Sequence, residues 1–221
     1  MTFYRNRTDA GQQLASAVIA RLGPHPANAI VLALPRGGVP VAAEVARRIG
    51  VALDLLIVRK LGMPFDPEFA FGAIGPGGAC YLNPDVLARH AISDEQINQV
   101  RESEASELAR REHLYRGNRE FPNLNGKTVI VVDDGIATGA SIKAALLALK
   151  SLKPGKVVLA VPVAPKESVP EFTQLVDEFI CPLTPEHLGS VGEHYAEFGQ
   201  VTDTEVLELI EPMQPEPAST Q

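Results

Sequence analysis

The sequence predicts an α/β fold, a doubly wound and mostly parallel sheet of about five strands with flanking helices. Three observations carry that expectation. Apolar, β-branched runs recur at 29–34, 53–58, 128–132, 157–163 and, more weakly, 178–183. Runs without polar alternation suit parallel strands covered on both faces, and helical patterns alternate with them. The 221 residues are 45% hydrophobic and 21% charged, which suits one α/β unit with extensions and excludes a disordered or collagen-like chain.

The elements follow in order. Residues 8–22 predict a helix, with Leu14, Val18 and Leu22 on one face and Gly23 ready to end it. The run 29–34 predicts the first core strand, 40–49 a helix opening at Pro40, and 53–58 a second strand. The Gly/Pro-rich stretch 61–78 (LGMPFDPEFAFGAIGPGG) has the composition of a flexible lid loop. From 93 to about 117 the pattern predicts a long inserted helix. Ser93 and Gln96 form a capping box, and Ile97, Val100, Leu108 and Tyr115 mark a narrow apolar stripe. That stripe suits a solvated helix across the domain edge; an oligomer contact is the alternative, and a homo-oligomer is expected. Residues 140–152 predict the next helix, stopped by Pro154-Gly155. One domain over 1–211 is expected, and the tail 212–221 (PMQPEPASTQ) has a disordered composition.

Charge and cysteine use narrow the function classes. Lys and Arg number 20 against 27 Asp and Glu, a net charge of −7 with no basic block, which argues against a nucleic-acid partner. Cys80 and Cys181 stand in no metal-binding or disulfide spacing and read as packing residues. The N-terminal MTFYRNRTDAGQQLA is too polar for a signal segment. No apolar run approaches the ~20 residues of a membrane span, so a cytoplasmic location without membrane contact is expected.

The chemistry concentrates in 129–141, VIVVDDGIATGAS. A strand delivers the adjacent carboxylates Asp133 and Asp134 to the carboxyl edge of the sheet, where open α/β folds bind ligands. The small-residue loop Ala137, Thr138, Gly139, Ala140 and Ser141 then enters a helix, whose free N–H groups favour a phosphate. Adjacent carboxylates beside an anion need hydroxyl donors or a divalent cation, and a sugar phosphate meets that demand. Neither a Walker A loop nor GxGxxG is present. A receiver domain would need a third Asp on a later strand end, which the sequence lacks.

Two further loops add cations. Residues 33–40 (ALPRGGVP) place Arg36 beside Gly37 and Gly38, whose amides can face a phosphate; a plain strand-to-helix turn is the alternative. Residues 57–62 (IVRKLG) place Arg59 and Lys60 at another strand end, where an anion would offset their burial. Side chains reaching to solvent would explain that pair equally.

Together these segments resemble the type I phosphoribosyltransferases, and most resemble a bacterial branch of them that carries a long inserted helix. The resemblance covers roughly residues 3–210; 129–141 departs from the family's PRPP motif only at Gly135. It implies that Asp133 and Asp134 hold the ribose hydroxyls and, through water and substrate, Mg²⁺. It implies that 137–141 hold the 5′-phosphate, and that Arg36, Gly37, Gly38, Arg59 and Lys60 bind pyrophosphate. The loop entering Arg36 often carries a cis peptide in this family. Residues 61–78 would be the catalytic lid, although Leu61 and Gly62 replace the Ser-Tyr pair of hypoxanthine-type enzymes.

The implied reaction transfers the 5-phosphoribosyl group from PRPP to a nitrogen acceptor, a nucleobase in the first instance, and releases pyrophosphate. Asp133, Asp134, Lys60 and Arg36 would serve it by position and charge. A hood over about 164–211 would select the acceptor. Tyr195 and Phe198 could meet a ring there, although a packing role fits them as well, and His187 and His194 read as surface or packing residues. The same fold also allows a PRPP-sensing protein without turnover, or hydrolysis of a related ribose phosphate; Arg36 and Lys60 favour transfer.

Overall fold

The computed structural model describes residues 4–90 and 92–213. In chain order the elements are α1 (Arg7–Leu22), β1 (Ala29–Ala33), α2 (Gly38–Ile49), β2 (Ala52–Leu55), β3 (Arg59–Met63), β4 (Asp66–Ile74), β5 (Cys80–Leu82), α3 (Pro84–His90) and α4 (Asp94–Arg116). There follow β6 (Thr128–Val132), α5 (Ala140–Lys150), β7 (Lys156–Ala160), α6 (Val169–Leu175), β8 (Glu178–Ile180) and α7 (Asp203–Ile210). Of the tail expected to be disordered, Pro212 and Met213 belong to a 3₁₀ turn at Glu211–Met213; 214–221 lie outside the described residues. The described chain packs as two compact units. The first takes the described chain up to Leu55, Leu124–Gly139 and the chain from Pro154; the second takes Leu56–Asn123 and Ala140–Lys153.

The first unit carries the expected parallel sheet, five strands in the order β2-β1-β6-β7-β8. Its central positions are shielded completely: Val31, Leu32, Ala33 and Val129 to Val132 are all fully buried. β1 and β6 pair in register from Ala29 with Thr128 to Ala33 with Val132. Strands before β1 in the order go one way along the sheet and those after β6 the other, so the topological switch point lies between these two.

Several elements are shorter or longer than their sequence patterns. β2, β7 and β8 stop at Leu55, Ala160 and Ile180, yet Leu56, Ile57, Val161 and Val163 stay buried. Apolarity there marks burial beyond the point where pairing ends. Helix α2 starts at Gly38 and not at Pro40, because the Gly38 amide already donates to Leu34 O at 3.1 Å; Pro40 then falls in the first turn, where a missing N–H costs nothing.

Helix α1 is capped by the Asn6 side chain, which accepts from the Asp9 amide. It packs on α2 through Gly11, where a Cβ would stand 2.7 Å from Val41 O and 2.8 Å from Glu44 Cβ.

The second unit holds an antiparallel sheet that sequence patterning missed, in the order β3-β4-β5. Residues 61–78, expected from composition as a flexible loop, are therefore mostly a hairpin, turning at Pro64 and Phe65. Its glycines misled: at Gly72 a Cβ would lie 2.4 Å from Tyr81 O, so the small residue serves close strand approach. Helices α4 and α5 pack on this sheet. Both halves of the Ser93/Gln96 capping box are formed, and Ile97, Leu108 and Tyr115 are buried within the chain itself. Among the described residues no helix is long and apolar enough to cross a membrane.

Helix propensity favours alanine over glycine by ~1 kcal/mol, but the α1–α2 contact reverses that preference at Gly11. Gly11→Ala is expected to destabilise the fold by about 1–3 kcal/mol, seen as a lower urea midpoint; a raised midpoint would mean that the two helices can separate without cost.

Candidate functional site

The loops leaving β1 and β6 start side by side at the switch point, and the Leu34 amide donates to Val132 O at 2.9 Å. The Pro35–Arg36 peptide is cis. After it, the chain passes directly against the acidic pair. A Cβ on Gly37 would stand 2.2 Å from Asp134 Oδ2, and one on Gly38 would stand 2.8 Å from Asp133 Cα. Only glycines allow this approach. Asp133 Oδ1 accepts the Asp134 amide at 2.9 Å, which fixes the first carboxylate against its own main chain.

The following loop is pinned by the Ile136 amide, which donates to Val163 O at 2.9 Å. Gly135, the departure from the family pattern, faces Val191 and Val163, where a Cβ would approach within 2.7 Å and 2.9 Å. Gly139 has φ +73°, and a Cβ there would also meet Phe172 Cζ at 2.4 Å. Glycine is therefore required at 139 by conformation and packing, quite apart from any ligand. Ala137 and Thr138 are exposed in the first unit; Ala140 and Ser141, also exposed, open α5 in the second.

Sequence patterning missed two groups that converge on Asp134. Arg7, the first residue of α1, donates from Nε to Asp134 Oδ2 at 2.9 Å and from Nη1 to Gly199 O at 2.7 Å. Its guanidinium carbon lies 3.9 Å from the centroid of the Phe198 ring. Tyr195 donates its hydroxyl to Asp134 O at 2.6 Å. Tyr195 is buried, stacked between Tyr4 and Phe198 at centroid distances of 5.4 and 4.9 Å. Of the two candidate ring contacts in the hood, Tyr195 is thus a packing and anchoring residue; Phe198 is 38% exposed. His187 is exposed, and His194 Nδ1 lies 3.2 Å from Ser190 O.

The basic residues are placed differently from the sequence reading. Arg36 is exposed and faces Asp203 at 3.8 Å. Arg59 and Lys60 do not end a parallel strand: they open β3 in the second unit, and Arg59 Nε contacts Glu104 Oε2 at 2.6 Å. Apolar patterning ran through 53–58 and gave no sign that β2 stops at Leu55.

The electrostatics of the acidic pair follow from its burial. Desolvation raises the Asp133 carboxyl well above the usual range, and the charge of Asp134 raises it further. Desolvation also raises Asp134, opposed by the hydrogen bond and charge of Arg7. Burial, then the Asp134 charge, raise the Tyr195 phenol, which keeps it a donor. No group of three or more His, Cys, Asp or Glu suited to a metal occurs among the described residues. Two carboxylates alone suit a hydrated Mg²⁺ that arrives with phosphate ligands, since this ion keeps several waters and uses one or two carboxylates.

With both carboxyls raised, the folded chain binds more protons than the unfolded chain above the ordinary value of 3.8. Stability from these groups is thus present at low pH and lost as pH rises through their folded values. Asp133→Asn removes a buried charge and keeps the oxygen that accepts the Asp134 amide. The ligand-free variant is expected to melt about 2–4 °C higher at neutral pH, equivalent to about 1 kcal/mol at this size. The gain should vanish toward about pH 4. Scanning calorimetry across that range checks it.

Comparison with known proteins agrees with this geometry. Residues 83–186 match the family model described as "Phosphoribosyl transferase domain". Two Mycobacterium tuberculosis proteins named "Putative phosphoribosyl transferase" are 43% identical over 211 residues, 96% of this chain. The chain spans about half, 47%, of the length of those relatives. The crystal structure of TT1426 from Thermus thermophilus superposes with a TM-score of 0.87 at 39% identity, covering 97% of this chain and all of that one (100%). AQ2163 from Aquifex aeolicus, at 12% identity and a TM-score of 0.50 over 84% of this chain and 78% of its own, shares the fold. The chain belongs to the phosphoribosyl transferase domain family.

Proposed function

We propose that this domain binds PRPP with Mg²⁺ and transfers its 5-phosphoribosyl group to a nitrogen acceptor, with pyrophosphate leaving. The observation that carries the reading is the direct contact between the Gly37-Gly38 backbone and the Asp133-Asp134 pair at the switch point. It sets a glycine turn against the acidic pair that this reading takes as the sugar clamp, as a substrate with phosphate on both sides of a ribose would require.

In this reading Asp133 and Asp134 accept hydrogen bonds from the ribose hydroxyls. The exposed loop 137–141 holds the 5′-phosphate through main-chain amides and the Thr138 and Ser141 hydroxyls. Arg36, Gly37, Arg59 and Lys60 take the pyrophosphate, and Gly38 borders it without donating, since its amide already serves Leu34 O. Asp133 and Asp134 would hold a substrate-borne Mg²⁺ through water, and the ion would offset negative charge on the departing pyrophosphate. The acceptor nitrogen bonds to C1′ as the C1′–O bond to pyrophosphate breaks, and the acceptor's proton is released. The protein's contribution is position and charge, and exclusion of water from C1′. The acceptor would be a nucleobase selected by the hood, where Phe198 presents an exposed ring.

A second reading, PRPP binding without turnover, draws on one observation: Arg36 and Arg59 already face the carboxylates Asp203 and Glu104. Incubation with PRPP, Mg²⁺ and a panel of nucleobases separates the readings by pyrophosphate release. Acceptor-dependent release supports transfer, acceptor-independent release indicates hydrolysis, and calorimetric binding without release indicates a sensor. Asp134→Asn is expected to weaken PRPP binding or turnover by about tenfold or more with the circular dichroism spectrum intact. Unchanged PRPP affinity would reject the sugar-clamp role.

A further inference from the structure

Arg7 is out of place as a helix residue. It occupies the first position of α1, where the unpaired amides and the helix dipole favour negative charge and a cation is disfavoured. It is nevertheless mostly shielded, its side chain 12% exposed, and it is restrained on three sides. One edge of the guanidinium meets Asp134 Oδ2, another meets Gly199 O, and its face lies over Phe198. The main chain around it is equally fixed. The Tyr4 amide donates to His194 O at 2.9 Å, and the Ala196 and Glu197 amides donate at 2.8 Å to Tyr4 O and Arg5 O. A strap of residues 4–7 is thus stitched along 194–199 and ends on Asp134 Oδ2, while Tyr195 holds the Asp134 carbonyl.

We infer that Arg7 is a positioning residue for sugar recognition: by holding Asp134 Oδ2 it turns Oδ1 toward a ribose hydroxyl. The inference rests on the reading of Asp133 and Asp134 as the sugar clamp. It explains why a cation stands where the helix disfavours one, and why three partners fix a side chain whose neighbours on the strap are already secured by main-chain bonds. The guanidinium meets the carboxylate through Nε alone but is itself held by Gly199 O and the Phe198 face, so it fixes where Oδ2 sits more firmly than a flexible ammonium would.

The test uses the whole chain and two ligands, ribose 5-phosphate and 2-deoxyribose 5-phosphate, titrated calorimetrically with Mg²⁺ against the unmodified chain, Arg7→Gln and Arg7→Lys. The unmodified chain is expected to prefer the ribose form by about tenfold, as for a hydrogen bond to a charged group. Arg7→Gln should lose most of that preference, and Arg7→Lys, which restores the charge without the planar fork, should fall between them. General damage to the fold would weaken both ligands together and leave their ratio unchanged, and that result overturns the proposal. So does an unaltered or higher ribose affinity in Arg7→Gln, the latter marking Arg7 as a competitor for Asp134. If Arg7→Gln does not fold, the ratio in Arg7→Lys decides: an unchanged preference overturns the proposal and a reduced one supports it. Failure of the unmodified chain to bind ribose 5-phosphate at all would overturn the clamp reading, and this inference with it.

Discussion

The pairing of β1 with β6 is the constraint from which the rest of the site follows. These strands are distant in sequence and parallel in register, so their carboxyl ends emerge together and the chain must turn away at both points at once. Both loops then compete for the same small volume. Glycine at 37 and 38 is the solution on one side, and a pair of carboxylates is what fills the other. A side chain at either glycine would push the loops apart and leave the carboxylates facing water, where they would bind a polyol weakly.

Gathering two acids in a partly buried place is unfavourable for the ligand-free chain. Desolvation and mutual repulsion both act against ionisation, and the groups that oppose them are few: a main-chain amide for Asp133, and the Arg7 guanidinium, hydrogen-bonded to Asp134, for both. Such strain is tolerated where a ligand can relieve it. In the proposed reading, hydroxyl donors and a hydrated cation would each stabilise the ionised pair, so that binding the sugar would also relieve the buried charge.

Legibility followed sequence distance. The parallel sheet could be seen because its strands are continuous apolar runs, and the acidic pair with its loop because strand, carboxylates and helix start are contiguous in 129–141. The Ser93 cap was readable for the same reason. What escaped was assembled across the chain. Arg7 and Asp134 are 127 positions apart, and Tyr195 and Asp134 are 61 apart; no local pattern announces either contact. The hairpin of β3 and β4 was hidden by composition, since Gly and Pro signal a loop until neighbouring strands show why small residues are needed. Arg59 was visible as a basic residue, but its partner Glu104 lies on a helix whose acidic residues read only as a solvated face.

The strap that joins Tyr4 and Arg5 to residues 194–197 also sets an order of events during synthesis. As a nascent chain leaves the ribosome, β1 and α2 can associate early, yet the Asp134 carbonyl gains Tyr195, and Arg7 gains Gly199, only after those residues have emerged. Until then the Arg7–Asp134 pair stands without the segment that restrains it on its other sides. Completion of this edge thus waits for residues 195–199, and a nascent product that stops before them can hold all five strands of the parallel sheet while lacking the segment that brackets Arg7 and Asp134.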